Sequence, residues 1–226
     1  MIQALFFDFD GLILDTETPA MRAWEEIYRR YGLTFPFEAW SKVIGGWGES
    51  AFDAAEYLLQ HLPHPNGLSP AKVLEMHQAL SHAWLQKEQP RAGIERLLRE
   101  AQQAAVRCFV VSSSSHLWVD GHLQRLGLAG YFEATICADD VPPGRTKPHP
   151  DLYLKALAHA AVDPAQGLAL EDSPNGVRAA RAAGLRVIAV PNPVTARLPF
   201  PVPPDDSLPS LHHITLQHLQ RYLQTP

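Results

Sequence analysis

Residues 2–17, IQALFFDFDGLILDTE, begin as an apolar run interrupted only by Gln3 that ends on two aspartates, Asp8 and Asp10, followed by Gly11. Three more short apolar runs finish on polar or acidic residues in the same way: VRCFVVS (106–112), LALED (168–172) and RVIAVPN (186–192). Strands that are apolar along their whole length are buried on both faces, the habit of a parallel sheet covered by helices. The segments between them read as helices. Ser173 followed by Pro174, with Val177, Ala180 and Gly184 beyond, supplies an N-cap, a first-turn proline and a C-terminal glycine. Strands alternating with helices predict an α/β fold built on an open parallel sheet.

The stretch from Thr16 to Glu88 breaks that rhythm and reads as helix after helix. Met21, Trp24, Ile27, Tyr28 and Tyr31 recur at helical spacing before Gly32; Phe52, Ala55, Leu59 and Leu62 form a second stripe; Ser69-Pro70 opens a third with Val73, Met76, Leu80 and Ala83. A helical domain over residues 16–88, inserted into an α/β core of residues 1–15 and 89–226, is expected, with Trp24 and Trp84 in its interior. The proline-rich segment 191–210, PNPVTARLPFPVPPDDSLPS, favours an extended, turn-rich path, and a last helix is expected over about 215–223.

The chain has 226 residues, 46% hydrophobic and 19% charged, enough for a core plus a smaller inserted domain. With 19 Lys+Arg against 24 Asp+Glu the net charge is −5, and no basic stripe is present to neutralise a polyanion, so nucleic acid is not an expected partner. Cys108 and Cys137 sit in apolar runs and read as small core residues rather than metal ligands. The first residues lack the basic start of a signal peptide and meet an acidic pair too early for one, and no apolar run approaches spanning length. A cytoplasmic protein without membrane attachment is expected; the oligomeric state is left open.

In an open α/β sheet ligands bind beyond the carboxyl ends of the strands, so the residues terminating the apolar runs are the candidates for chemistry. These are Asp8 and Asp10, Ser112, and Glu171 with Asp172, joined by Lys147 in the proline-flanked loop GRTKPHP (144–150). Each has an ordinary structural reading when taken alone: a turn after a strand, a helix N-terminus, a loop, a solvated charge. Their joint occurrence at strand ends and one connecting loop points instead to a single anion site. Four carboxylates at one rim would repel one another unless a cation were present, and hard oxygen ligands few enough to leave room for water and phosphate suit Mg²⁺.

The run FFDFDGLILDTE resembles the first signature of the haloacid dehalogenase superfamily, a hydrophobic strand followed by DxDGxxxDT/SE. FVVSSSS resembles the second signature, Lys147-Pro148 in TKPHPDLY the third, and LALEDSPNGVRAA the fourth, so the resemblance covers nearly the whole chain. The pattern resembles the beta-phosphoglucomutase-like phosphatase branch. That resemblance implies a Rossmann-like core with an α-helical cap inserted after the first strand. It further implies that Asp8 attacks phosphorus and Asp10 protonates the leaving oxygen and then activates water. Mg²⁺ would be held by Asp8, the backbone carbonyl of Asp10, and Asp172, with Glu171 in direct or indirect support. Lys147 would offset the charge of Asp8 and phosphate, while Ser112 and the Ser113 amide would donate to phosphate oxygens. The expected partner is a small phosphorylated metabolite, such as a sugar phosphate.

The alternatives are a sugar-phosphate mutase, a phosphoacceptor signalling domain and a non-catalytic binding protein. Receivers resemble this chain less, because they place the acidic pair first and the acceptor later. A non-catalytic relative would be expected to lack Asp8 or Asp10, and both are present. Where the mutases of this branch carry a histidine on the first cap helix, this chain has Ala20. Its glycine-rich loop IGGWGES (44–50) offers Trp47 and Glu49 rather than the arginine those mutases use. Trp47 and Glu49, with Lys72, His77 and His82, are candidate substrate contacts.

Overall fold

A computed structural model describes residues 1–44, 52–65 and 67–223, and the chain divides into two compact units, Met1–Leu14 with Gln89–Pro226, and Asp15–Glu88. Trp47 and Glu49 lie outside the described residues.

The first unit is an α/β sandwich. Its strands are β1 (Ala4–Phe7), β2 (Arg107–Val111), β3 (Ala134–Ile136), β4 (Gly167–Glu171), β5 (Arg186–Ala189) and β6 (Asp206–Ser207), all parallel, in the order β3-β2-β1-β4-β5-β6. The four apolar runs supply β1, β2, β4 and β5. The sequence reading missed β3, half-exposed at the sheet edge, and β6, which takes two exposed residues from the proline-rich segment. Neither has the continuous apolar signature of a strand buried on both faces.

Every side chain of β1 is buried, and Phe6 stacks on Phe109 of β2 at 5.4 Å between ring centres. With Leu152, Tyr153, Val177, Leu185 and Val187 these rings form the main core. Each such side chain contributes about 1.5–3 kcal/mol by leaving water.

The second unit contains four helices among its described residues, numbered in chain order from the amino terminus: α1 (Glu17–Arg30), α2 (Phe37–Ile44), α3 (Ala54–Gln60) and α4 (Pro70–Leu85). Asp15 starts α1 by accepting from the Thr18 amide at 2.9 Å and the Thr18 hydroxyl at 2.7 Å. Ser69 caps α4 as its sequence predicts, accepting from the Lys72 amide at 3.3 Å. Trp24, Ile27 and Tyr28 are buried, and the Tyr28 hydroxyl donates to the Ala54 carbonyl at 2.7 Å. Two expectations shift. The face of α3 that packs inward carries Ala54, Ala55 and Leu58 rather than Leu59, and Phe52 lies before the Asp53 cap, outside the helix. Trp84 is half-buried and Ala83 exposed, since α4 turns Val73 and Leu85 inward.

Helices α5 (Ile94–Gln103), α6 (His116–Arg125), α7 (Asp151–Ala160), α8 (Pro174–Ala182) and α9 (Leu216–Gln220) belong to the first unit. Ser173 caps α8 through the Gly176 amide at 3.2 Å, and Thr215 caps the short last helix. No helix among the described residues is long and apolar enough to cross a membrane.

Candidate active site

Strand register gathers the sequence-predicted residues. Phe7 of β1 pairs with Val110 of β2 on one side and with Leu170 of β4 on the other, so Asp8 comes level with Val111 and Glu171. Ser112 follows β2 and Asp172 follows β4 by one residue each, which places all of them at the carboxyl edge of the central strands. Lys147 arrives from the loop before α7 and is nearly enclosed, its side chain 5% exposed.

Lys147 is the hub. Its Nζ donates to Asp8 Oδ1 at 2.5 Å, Glu171 Oε1 at 2.6 Å and the Val111 carbonyl at 2.7 Å, using all three ammonium hydrogens. The Tyr153 hydroxyl donates to the same Glu171 oxygen at 2.5 Å. Burial, helped by the charges of Glu171 and Asp10 and opposed by Lys147, pushes the Asp8 carboxyl well above the usual range. Burial works to lower the Lys147 pKa, but Asp8 and Glu171 outweigh it and hold the ammonium above its ordinary value. Burial and then Glu171 raise the Tyr153 phenol, so it stays a donor.

Carboxylate oxygens of Asp8, Glu171 and Asp172 lie within 4.8 Å of one another. Asp8 Oδ2 and Glu171 Oε2 are buried with no hydrogen-bond partner. An octahedral Mg²⁺ at about 2.1 Å spaces its ligands roughly 3 to 4 Å apart. Three converging hard oxygens, with buried acceptors unsatisfied and one lysine against three buried carboxylates, fit such a cation.

The backbone is shaped around these groups. Gly11 has φ +83°, and a β-carbon there would lie 2.1 Å from Asp172 Oδ2 and 2.5 Å from Asn192 Nδ2. Asn192 donates to Asp172 Oδ2 at 2.7 Å and is itself fixed by the amides of Val194 and Thr195. Arg91 ties the loop after β1 to the loop after β5, donating to the carbonyls of Gly11, Val190 and Pro191.

Asp10 sits apart from the lysine cluster. Its Oδ2 accepts from Ser114 Oγ at 2.6 Å and Ser112 Oγ at 3.3 Å, and its Oδ1 accepts from Trp118 Nε1 at 2.9 Å. Ser112 Oγ also accepts from the Ser114 amide at 3.0 Å, while Ser113 is exposed on the same loop. The arrangement therefore offers a lysine-bound carboxylate, a separate hydroxyl-bound carboxylate beside it, and an acidic pocket for a cation.

The sequence pattern of the haloacid dehalogenase-like hydrolases matches residues 5–190. The chain belongs to that family. This hydrolase is 40% identical over 200 residues to YhcW of Bacillus subtilis (strain 168), covering 88% of each chain. It is 31% identical over 186 residues to the fructose-1-phosphate phosphatase YqaB of Escherichia coli (strain K12), covering 82% of this chain and 95% of that one. The crystal structure of CbbY from Rhodobacter sphaeroides in complex with phosphate superposes with a TM-score of 0.70 at 29% identity, over 97% of this hydrolase and 100% of CbbY.

Of the candidate substrate contacts in this hydrolase's helical unit, His77 stacks on Trp24 at 4.1 Å, and its Nε2 lies 3.0 Å from the Ala20 carbonyl. Burial, opposed by that hydrogen bond, lowers its pKa. His82 and Lys72 are exposed, and Lys72 pairs with Glu75 at 2.7 Å. Sequence reasoning missed Tyr153, Asn192, Ser114, Trp118 and Arg91. Asn192 ends the fourth apolar run, so the rule that selected Ser112 would have found it too. Tyr153 lies one helical turn into the segment carrying Lys147. Trp118 gives no sequence signal of its own.

Proposed function

We propose that this hydrolase is a Mg²⁺-dependent phosphatase of small phosphorylated metabolites, sugar phosphates among them, that turns over through an aspartyl-phosphate on Asp8. The observation that carries this reading is Lys147 Nζ seated between Asp8 Oδ1 and Glu171 Oε1 at a carboxylate cluster, while Asp10 is held separately by Ser114 and Trp118. A carboxylate nucleophile splits one hard displacement into two easier ones.

In the first half, an Asp8 oxygen forms a bond to phosphorus while the bond to the ester oxygen breaks, and Asp10 delivers its proton to that oxygen. In the second, Asp10 takes a proton from water as the water oxygen bonds phosphorus and the bond to Asp8 breaks, releasing phosphate. Lys147 orients Asp8 and offsets the negative charge brought by the phosphoryl group. Ser112 and the Ser113 amide complete the phosphate's donors.

Asp8, the Asp10 carbonyl and Asp172 would hold the Mg²⁺, with Glu171 supporting from behind through Lys147 and Tyr153. The ion would supply charge neutralisation between nucleophile and phosphoryl oxygens. Residues 16–88 would act as the cap that selects the substrate. Support for a sugar phosphate comes from YqaB, named for fructose 1-phosphate.

The test measures phosphate release with Mg²⁺ from fructose 1-phosphate, glucose 6-phosphate, phosphoglycolate, uridine 5′-phosphate, pyrophosphate and p-nitrophenyl phosphate. Release from at least one alkyl ester, lost in Asp8→Asn, is expected. No release from any of them sinks the proposal.

A further inference from the structure

Trp118 is one of the larger apolar side chains left in contact with solvent, 36% exposed, yet its ring is pinned. It meets His122 edge-on at 4.5 Å, and His122 lies 6.2 Å from the Phe9 ring, between Asp8 and Asp10 in the chain. Its Nε1 donates to Asp10 Oδ1 at 2.9 Å. A tryptophan serving only to fill a core would be more deeply covered.

We propose that Trp118 is a positioning residue for proton transfer: its indole N–H fixes the Asp10 carboxylate so that Oδ1 is the oxygen that exchanges a proton with the leaving group and then with water. The inference rests on the assignment of Asp10 as acid/base. An indole N–H can only donate, and a ring braced on His122 sends it in one direction. Oδ2 is held by Ser114, whose hydroxyl donates at 2.6 Å, with Ser112 Oγ at 3.3 Å. Oδ1 receives Trp118 alone among the described residues, leaving its second lone pair for a proton in transit. Ser114 and Trp118 thus hold the carboxylate at both ends and stop it rotating between equivalent settings. Atoms balance: the Oδ1–H bond breaks as the leaving oxygen gains that hydrogen, and water returns it to Oδ1 in the second half.

The test is Trp118→Phe, which keeps an aromatic ring against His122 and deletes the N–H. It compares kcat/KM for p-nitrophenyl phosphate, whose leaving group departs as an anion without needing a proton, with that for the fastest alkyl ester of the panel above. A group acting through the general acid matters only where the leaving oxygen needs the proton. The alkyl ester is expected to lose about tenfold and p-nitrophenyl phosphate less than about twofold, a fraction of the whole effect of a general acid. Because the readout is a ratio within one preparation, a partly unfolded variant does not imitate it. Equal losses on both substrates, or none on the alkyl ester, overturn the proposal. Failure of the broader reading looks different, since wild-type protein would then release phosphate from neither ester.

Discussion

Gly176 and Glu171 share one space: a β-carbon on Gly176 would lie 1.7 Å from Glu171 Oε2 and 2.3 Å from Oε1. The Glu171 carboxylate, fully buried at the end of β4, rests on the first turn of α8 because residue 176 has no side chain. This contact links the helix start to the lysine hub, since the same carboxylate takes both Lys147 and Tyr153.

Gly176→Ala is therefore expected to do the reverse of what alanine does in an ordinary helix. An alanine there would normally stabilise by about 0.4–1 kcal/mol. Here it must push the buried Glu171 carboxylate off its partners, and a broken buried ion pair costs about 3–5 kcal/mol. Thermal melting should show a clear drop, with phosphate release falling by about tenfold or more as Lys147 loses its second anchor. A melting temperature at or above wild type would show that Glu171 is not held as described.

Asp8→Asn should abolish turnover while leaving the fold intact. The variant removes one of three clustered buried carboxylates, of which Asp8 and Glu171 share a single lysine, so stability should hold or rise. The sign of the pH dependence follows from the raised Asp8 pKa. A carboxyl whose folded pKa exceeds its unfolded value favours the fold at low pH and loses that contribution as pH climbs through the folded value. The asparagine does not titrate. In chelator, melting should thus favour Asp8→Asn increasingly from acidic toward neutral pH; a gap that narrows along that path, or activity within about tenfold of wild type, contradicts the assignment.

Much of this was legible in the sequence because buried parallel strands and their polar terminators leave a continuous signature. Asp8, Ser112, Glu171 and Asp172 could be placed at one rim before any coordinates, since strand ends in such a sheet share an edge. Lys147 needed its loop context and the family resemblance. What stayed hidden was side-chain direction: Tyr153 is one of several apolar-looking residues on α7, and only the fold aims its hydroxyl at Glu171. Likewise nothing in SSSSHLW distinguishes Ser114 or Trp118 as partners of Asp10. The edge strands β3 and β6 escaped because edge positions do not demand apolar residues on both faces.

Chelation should silence phosphate release and Mg²⁺ should restore it, while Ca²⁺ should inhibit. Two carboxylates and a backbone carbonyl would leave positions for water and phosphate around a small octahedral ion, whereas a larger ion taking six to eight oxygens would draw Asp8 out of line with phosphorus. Asn192→Ala, which removes the 2.7 Å donor to Asp172 and leaves Thr195 Oγ1 at 3.3 Å, should raise the Mg²⁺ concentration needed for half-maximal activity by about tenfold. Full turnover in excess chelator would refute the metal reading, and an unchanged Mg²⁺ requirement in Asn192→Ala would remove Asp172 from it.

The fate of the aspartyl-phosphate should be hydrolysis rather than return to the same sugar. A mutase must keep water from the intermediate while a bisphosphate turns over, which requires side chains that grip a second phosphate and gate the acid/base. The mutases this chain resembles place a histidine on the first cap helix for that purpose, and the equivalent position is Ala20. A methyl group offers neither a hydrogen bond nor a charge, and the Ala20 carbonyl is already engaged by His77 Nε2 at 3.0 Å. Burial lowers the His77 pKa, so that imidazole is held neutral against Trp24 rather than presented as a cation. Incubation with beta-glucose 1-phosphate, Mg²⁺ and a trace of glucose 1,6-bisphosphate should therefore yield free phosphate without glucose 6-phosphate. Coupled detection of both products decides the matter: glucose 6-phosphate accumulating faster than phosphate would mean that a second phosphate is gripped by groups other than the residue at position 20.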